Sequence, residues 1–178
     1  EEKLSVEMPS FCLGFKQKIA SPFRRLKSKV CISLLLEIIC GEASPLYEKL
    51  VKEGLIGDSF SYEYFTGEGY AAVMFSGETE DPKRVAEEIK AEIKRIRENG
   101  IDKKLFSAVK CGLYGDAVRQ FNSVSGMALN LVEGAVFDYD IFEEIHLLRT
   151  VTANDVYNRL DVFDDELSVL SVINPIKG

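Results

Sequence analysis

Imidazole is almost missing from this sequence: His146 is the one histidine in 178 residues. A hydrolytic zinc centre draws on two or three nitrogen ligands with a carboxylate placed to activate water, so a lone histidine excludes a self-sufficient zinc hydrolase. Glu143 and His146 stand three apart and would share a helix face, but a carboxylate-bridged two-metal site needs a second such pair, and there is none. His146 is expected at the surface or in a cap, and no metal ligand or catalytic residue is assigned to this chain. Cysteine is sparse too. Cys12, Cys31, Cys40 and Cys111 lie far apart, without a C-x-x-C pair or the density of a disulfide scaffold. A nucleophile pair of Cys111 or Cys40 with His146 is formally available, since the two need not be neighbours in sequence. The plainer reading is buried free thiols, because Cys31, Cys40 and Cys111 fall in helical patterns where thiols pack inertly.

Basic excess is absent as well. Lys and Arg number 22 against 29 Asp and Glu, a formal charge of -7, which excludes the counterion-releasing basic face of a nucleic-acid binder. No apolar run reaches bilayer length: the longest, residues 30–40, is short and interrupted by Glu37, so it reads as a buried helix and no membrane partner is expected. Nothing at the start resembles a secretory leader, and with the acidity this makes the cytoplasm the expected compartment. The G-x-S-x-G, Walker and dinucleotide-binding glycine patterns are missing, and Gly67, Gly69 and Gly77 lie around a hairpin rather than before a helix. Acidic doublets such as Glu143-Glu144 and Asp164-Asp165 are expected as caps and turns in so acidic a chain.

What is present is ordinary globular material. A 46% hydrophobic and 29% charged composition suits a chain that buries a core, and the length reads as a single domain over residues 1–178. The opening at Glu1, without an initiator Met and almost directly into a strand-like segment, is expected to mark a piece of something longer.

Hydrophobic spacing supplies the elements. Leu4 to Phe15 reads as a first strand, with Pro9 at an edge position and Gly14 hinting at a bulge. Ser21-Pro22 stops extension, and Val30, Leu34, Leu35, Ile38 and Ile39 recur at helical spacing from Arg24 to Cys40, closed by Gly41. Ser44-Pro45 opens a second helix ended by Gly54. Residues 59–64 and 70–75 flank turn chemistry and form a hairpin, in which Tyr62 and Tyr64 share one face, core rather than groove on balance. Asp81-Pro82 starts the clearest amphipathic helix, with Val85, Ile89, Ile93 and Ile96 in one stripe. Helices follow from Asp102, around Ala128 to Val132, from Ile141 to Leu148, and after a Thr152 cap; residues 167–173 are apolar and β-branched enough for a central strand. The order predicts an α+β fold, a mainly antiparallel sheet with helices on one face and a split topology.

Taken in order, these segments resemble the carboxy-terminal, non-catalytic domain of the insulinase-like (pitrilysin) zinc peptidases, in their bacterial, processing-peptidase-like branch. The resemblance rests on Leu34-Leu35-Leu36-Glu37-Ile38-Ile39-Cys40-Gly41, on residues 44–56 against the family's "L-Y/F-x-x-L/V-x-x-x-G-L" helix, and on Ser59 to Tyr64, Gly100-Ile101-Asp102 and Thr152 to Val156 downstream. It implies a split ferredoxin-like half-domain of a clamshell peptidase, closing a chamber and helping bind an extended peptide. Zinc would sit in an amino-terminal half or paired subunit bearing H-x-x-E-H, so this chain would carry no cofactor. Many members offer an Arg and, seven positions later, a Tyr to the substrate; alignment puts Val51 at the first place and Gly57 or Asp58 at the second. Lys52 and Tyr62 are the nearest residues of suitable type and are the substrate-binding candidates. The alternative is a structural or interaction scaffold of the same fold with no proteolytic role.

Overall fold

The computed structural model describes residues 1–17, 25–67 and 69–176. The elements are β1 (Glu2–Leu4), β2 (Ser10–Lys16), α1 (Arg25–Cys40), α2 (Pro45–Lys52), β3 (Ser61–Gly67), β4 (Tyr70–Glu78), α3 (Pro82–Asn99), α4 (Lys103–Gln120), α5 (Val124–Phe137), α6 (Ile141–Thr150), α7 (Ala153–Tyr157) and β5 (Ser168–Pro175). The strands form one sheet in the order β1-β5-β2-β4-β3, antiparallel throughout except for the parallel β1–β5 pair. The chain's last strand thus lies between its first two, the split topology that the element order predicts.

The period of two along each strand decides what the sheet buries. On β2, Phe11, Leu13 and Phe15 are buried while Cys12 and Gly14 face the other way. Register brings Leu13 opposite Phe75 on β4 and Leu170 on β5, so the apolar sets of three strands coincide on one face. Phe15, Phe75 and Phe163 close this face as a triad, with ring centroids 5.2 to 6.3 Å apart. Against it lies α1, whose Leu34, Leu35 and Ile39 are wholly buried together with Val30, Cys31 and Ile38. A helix with eleven of sixteen residues buried needs cover on most of its circumference, and α2, α3, α4, α6 and α7 all touch α1. In α3 the stripe of Val85, Ile89, Ile93 and Ile96 is buried. Among the described residues no single helix is long and apolar enough to cross a membrane.

Two details differ from the sequence reading. Residues 4–15 are two strands, because Pro9 has no N–H to give; its carbonyl instead accepts from the Thr79 N–H at 2.9 Å and extends the β2–β4 ladder. Gly14 makes no bulge, pairing in unbroken register with Met74 and Val169. β5 is the interior strand that the sequence predicts, and with helices on one face of the sheet Val169 is left 69% exposed. The stop at Ser21-Pro22 and the helix start at Arg24 lie outside the described residues.

The α6–α7 junction is held by a reciprocal cap. The Thr152 hydroxyl accepts from the Asp155 N–H at 3.2 Å, and Asp155 Oδ2 accepts from the Thr152 N–H at 3.0 Å. Lys27 donates to Asp155 Oδ1 at 2.5 Å, tying α7 to α1. That ammonium first, and the Thr152 hydroxyl and N–H next, hold the Asp155 carboxyl well below the usual carboxylate range.

Two outcomes follow from these contacts. Phe75→Ala opens the centre of the aromatic triad and is expected to cost about 3–5 kcal/mol in urea unfolding. Asp155→Ala removes the cap and is expected to cost about 1 kcal/mol at pH 7. Because the folded-state carboxyl is depressed, its contribution is complete above the unfolded value of about 3.9 and fades as pH falls towards the folded one, so melting curves of the two proteins should converge below about pH 4.

Candidate functional site

The substrate-binding candidates sit on α2 and β3. At the start of α2 the Ser44 hydroxyl accepts from the Tyr47 N–H at 3.1 Å and Pro45 occupies the first turn, where its missing N–H costs nothing. Leu46 and Leu50 anchor the helix in the core, and that rotation turns Val51 and Lys52 outward. Lys52 Nζ donates to Glu48 Oε1 at 2.6 Å across one helical turn and otherwise stands in solvent. Lys49–Glu88 and Arg84–Glu53, each at 2.6 Å, fasten α2 to α3. Val51, in the place of the family arginine, is 46% exposed, and Gly57 and Asp58 are exposed as well. These exposed positions thus present an isopropyl group at Val51, no side chain at Gly57 and a carboxylate at Asp58.

Tyr62 is built differently. It lies on the helix-facing side of β3, opposite Phe75, and its hydroxyl donates to Glu37 Oε1 on α1 at 2.9 Å. Burial first, then the Glu37 charge, push the phenol far above its ordinary value, so it stays protonated and acts as a donor. Gly41 is part of this arrangement: a Cβ there would come within 2.4 Å of Glu37 Oε2. Tyr62 thus secures a carboxylate at the sheet–helix boundary, and no hydrogen bond joins it to Lys52 among the described residues.

The donor set does not fit a zinc ion. His146 is exposed on α6, and the nearer of its acidic neighbours to another charge, Glu144, is directed at Lys29, 4.0 Å away. Among the described residues no group of three His, Cys, Asp or Glu side chains converges as a metal site would require. Burial pushes the Cys40 thiol well above its ordinary value and raises Cys31 and Cys12 too, which disfavours their thiolates, while Cys111 is exposed on α4.

One charged cluster was not legible beforehand. Lys29 on α1 bonds Glu133 on α5, faces Glu144 on α6, and holds its Nζ 5.8 Å from the centre of the Tyr139 ring. Burial lowers the tendency of Lys29 to stay charged, but the Glu133 bond and the two carboxylates outweigh it, and the net shift is upward. Burial likewise carries the Tyr139 phenol to about 12. A cavity of about 200 Å³ lies beside the cluster, lined by Arg25, Lys29, Tyr64, Phe65 and Tyr139 among others. These residues are separated by as many as 119 positions of sequence, from Arg25 to Glu144 (144 − 25), and no spacing rule links them.

An uncharacterized zinc protease of Bacillus subtilis (strain 168), YmfH, is 29% identical over 179 residues, covering 97% of this chain and 41% of the relative. The chain therefore spans less than half the length of that relative. Among solved structures, a candidate M16-like peptidase from Alicyclobacillus acidocaldarius superposes with a TM-score of 0.91 at 22% identity, over 98% of this chain and 43% of the other. The inactive peptidase domain of a candidate zinc protease from Bordetella parapertussis superposes at 0.77 and 12% identity, over 99% of this chain and 95% of the other. These likenesses share the five-stranded fold; residues 1–113 match the sequence profile of the Peptidase M16 inactive domain, and the chain belongs to that family of zinc peptidase domains.

Proposed function

We propose that this chain is the metal-free half of a two-part zinc peptidase, closing the proteolytic chamber and helping to hold an extended peptide while another half or a paired subunit carries the metal. The observation that carries the reading is the match to an inactive domain in a chain whose zinc-protease relative is more than twice as long. Zinc bound in the other half would supply the activated water. This half would contribute by excluding bulk water and by fixing the peptide against the metal, both of which lower the barrier without a reacting group here.

Lys52 is the substrate contact this reading favours, since it is exposed, positively charged and tethered by a single surface carboxylate. Tyr62 is a positioning residue in it, holding Glu37 and the β3 edge of the helix layer. A second reading, a scaffold of the same fold without a proteolytic role, is favoured by one observation: Val51 and Gly57 or Asp58 occupy the places of the substrate-contacting Arg and Tyr.

Removing this half from the complete peptidase is expected to abolish peptide cleavage while the zinc content, measured by atomic absorption, remains stoichiometric. Full cleavage by the zinc-bearing half alone would overturn chamber closure. Lys52→Ala in the complete peptidase is expected to raise KM roughly tenfold with kcat and melting temperature unchanged; an unaltered KM removes Lys52 from the substrate surface.

A further inference from the structure

Helix α5 is built inside out. Its sequence, Val124–Phe137, is the most apolar of the long helices on average, yet Gly134 is its one buried residue. At about 100° per residue, Gly126, Met127, Asn130, Glu133, Gly134 and Phe137 fall on the arc turned towards the domain. That arc holds the helix's sole charged side chain and its one amide. The opposite arc carries Val124 (89% exposed), Leu129 (71%), Leu131 (56%), Val132 (61%) and Val136 (68%). The positions between them, Ser125, Ala128 and Ala135, add no charge. An ordinary surface helix has the reverse arrangement.

The rotation is fixed rather than incidental. Glu133 is bonded to Lys29 of α1, and Asn130 faces the space between α1, α4 and α6. Gly134 lets the helix end close on the start of α6: a Cβ there would lie 2.8 Å from the Tyr139 carbonyl oxygen. Turning the apolar arc inward would carry Glu133 away from Lys29 and put a side chain where Gly134 closes on Tyr139, so the domain holds α5 with its apolar side in solvent. The patch continues onto α6, where Phe142, 60% exposed, stacks on Phe121 at 5.4 Å. Contiguous apolar surface of this kind marks an interaction site on a soluble protein.

We propose that the outward arc of α5, extended by Phe142, is the surface on which this half docks its zinc-bearing counterpart. The inference rests on the reading above. Two observations select that occupant: more than half of the zinc-protease relative lies beyond the matched part, so a body of comparable size remains to be seated, and the arc is uncharged, so its counterpart is an apolar face rather than an acidic or basic one. At 14 residues α5 is about 21 Å long, short of the roughly 30 Å of a hydrocarbon core.

The test places Leu129→Glu with Val132→Glu in the complete peptidase. The expected result is two separate melting transitions in place of one and a larger radius of gyration in small-angle X-ray scattering, with zinc content unchanged. In this chain alone the same pair is expected to leave the melting temperature where it was, since both side chains stand mostly in solvent; the isolated domain of the Bordetella parapertussis relative makes such a control practicable. A complete peptidase that remains compact and melts once overturns the inference, whatever removal of this half does to turnover, so chamber closure stands or falls on its own experiment. It is overturned equally by a fall in the melting temperature of the isolated chain, by a homodimer that the substitutions dissociate while the complete peptidase is unaffected, or by phosphatidylcholine vesicle binding that they abolish.

Discussion

Everything in this domain depends on the burial of α1. Eleven of the sixteen residues of this helix are buried, so it cannot rest on a surface; it has to be enclosed, with Lys27, Lys29 and Glu37 on the part that meets other elements through charge. The inner face of the sheet covers one side through Leu13, Phe15, Val73 and Phe75, and five other helices cover the rest. The strand order serves the same end. Inserting β5 between β1 and β2 places Leu170 and Val172 beside Leu13 and Phe11, widening the platform under the helices. Fully burying such a side chain is worth about 1.5–3 kcal/mol relative to exposure, so the dozen largest enclosed groups outweigh any surface ion pair.

Polar groups near this core act as ties between layers. Tyr62 fixes Glu37 where β3 meets α1, Lys27 joins α1 to the α7 cap, Lys29 joins it to α5 and α6, and Arg97 donates to the carbonyls of Leu160 and Phe163 ahead of β5. Each is a carboxylate or carbonyl met by a donor from another element. Such pairs are costly to leave half-made, which explains why they lie at boundaries between elements and not in an open cleft.

The element reading from sequence succeeded where a local period governs. The α3 stripe, the Ser44-Pro45 and Thr152 caps and the β3–β4 pairing are all decided within a few residues, by helical spacing, by a side-chain oxygen reaching a free N–H, or by strand alternation on either side of a short connection. It failed where a distant partner intervenes. The Pro9 carbonyl extends the β2–β4 ladder through the distant Thr79 N–H, so the strand pattern breaks before it, and Gly14 stays regular because two neighbouring strands hold it in register. For the candidate site, the exposed Lys52 was legible from its place on α2, whereas the Glu37 partner of Tyr62 was not, since 25 residues separate them.

By itself the sequence determined the fold class and the family, because composition and local periodicity are properties of the chain before it folds. Tertiary structure alone decided the Lys29–Glu133–Tyr139 cluster, the protonated bridge of Tyr62, and above all which side of α5 meets water. A hydrophobic run states that a helix wants cover; it does not state from which side, and here Lys29 and the close approach at Gly134 turn the apolar arc away from the domain's own core.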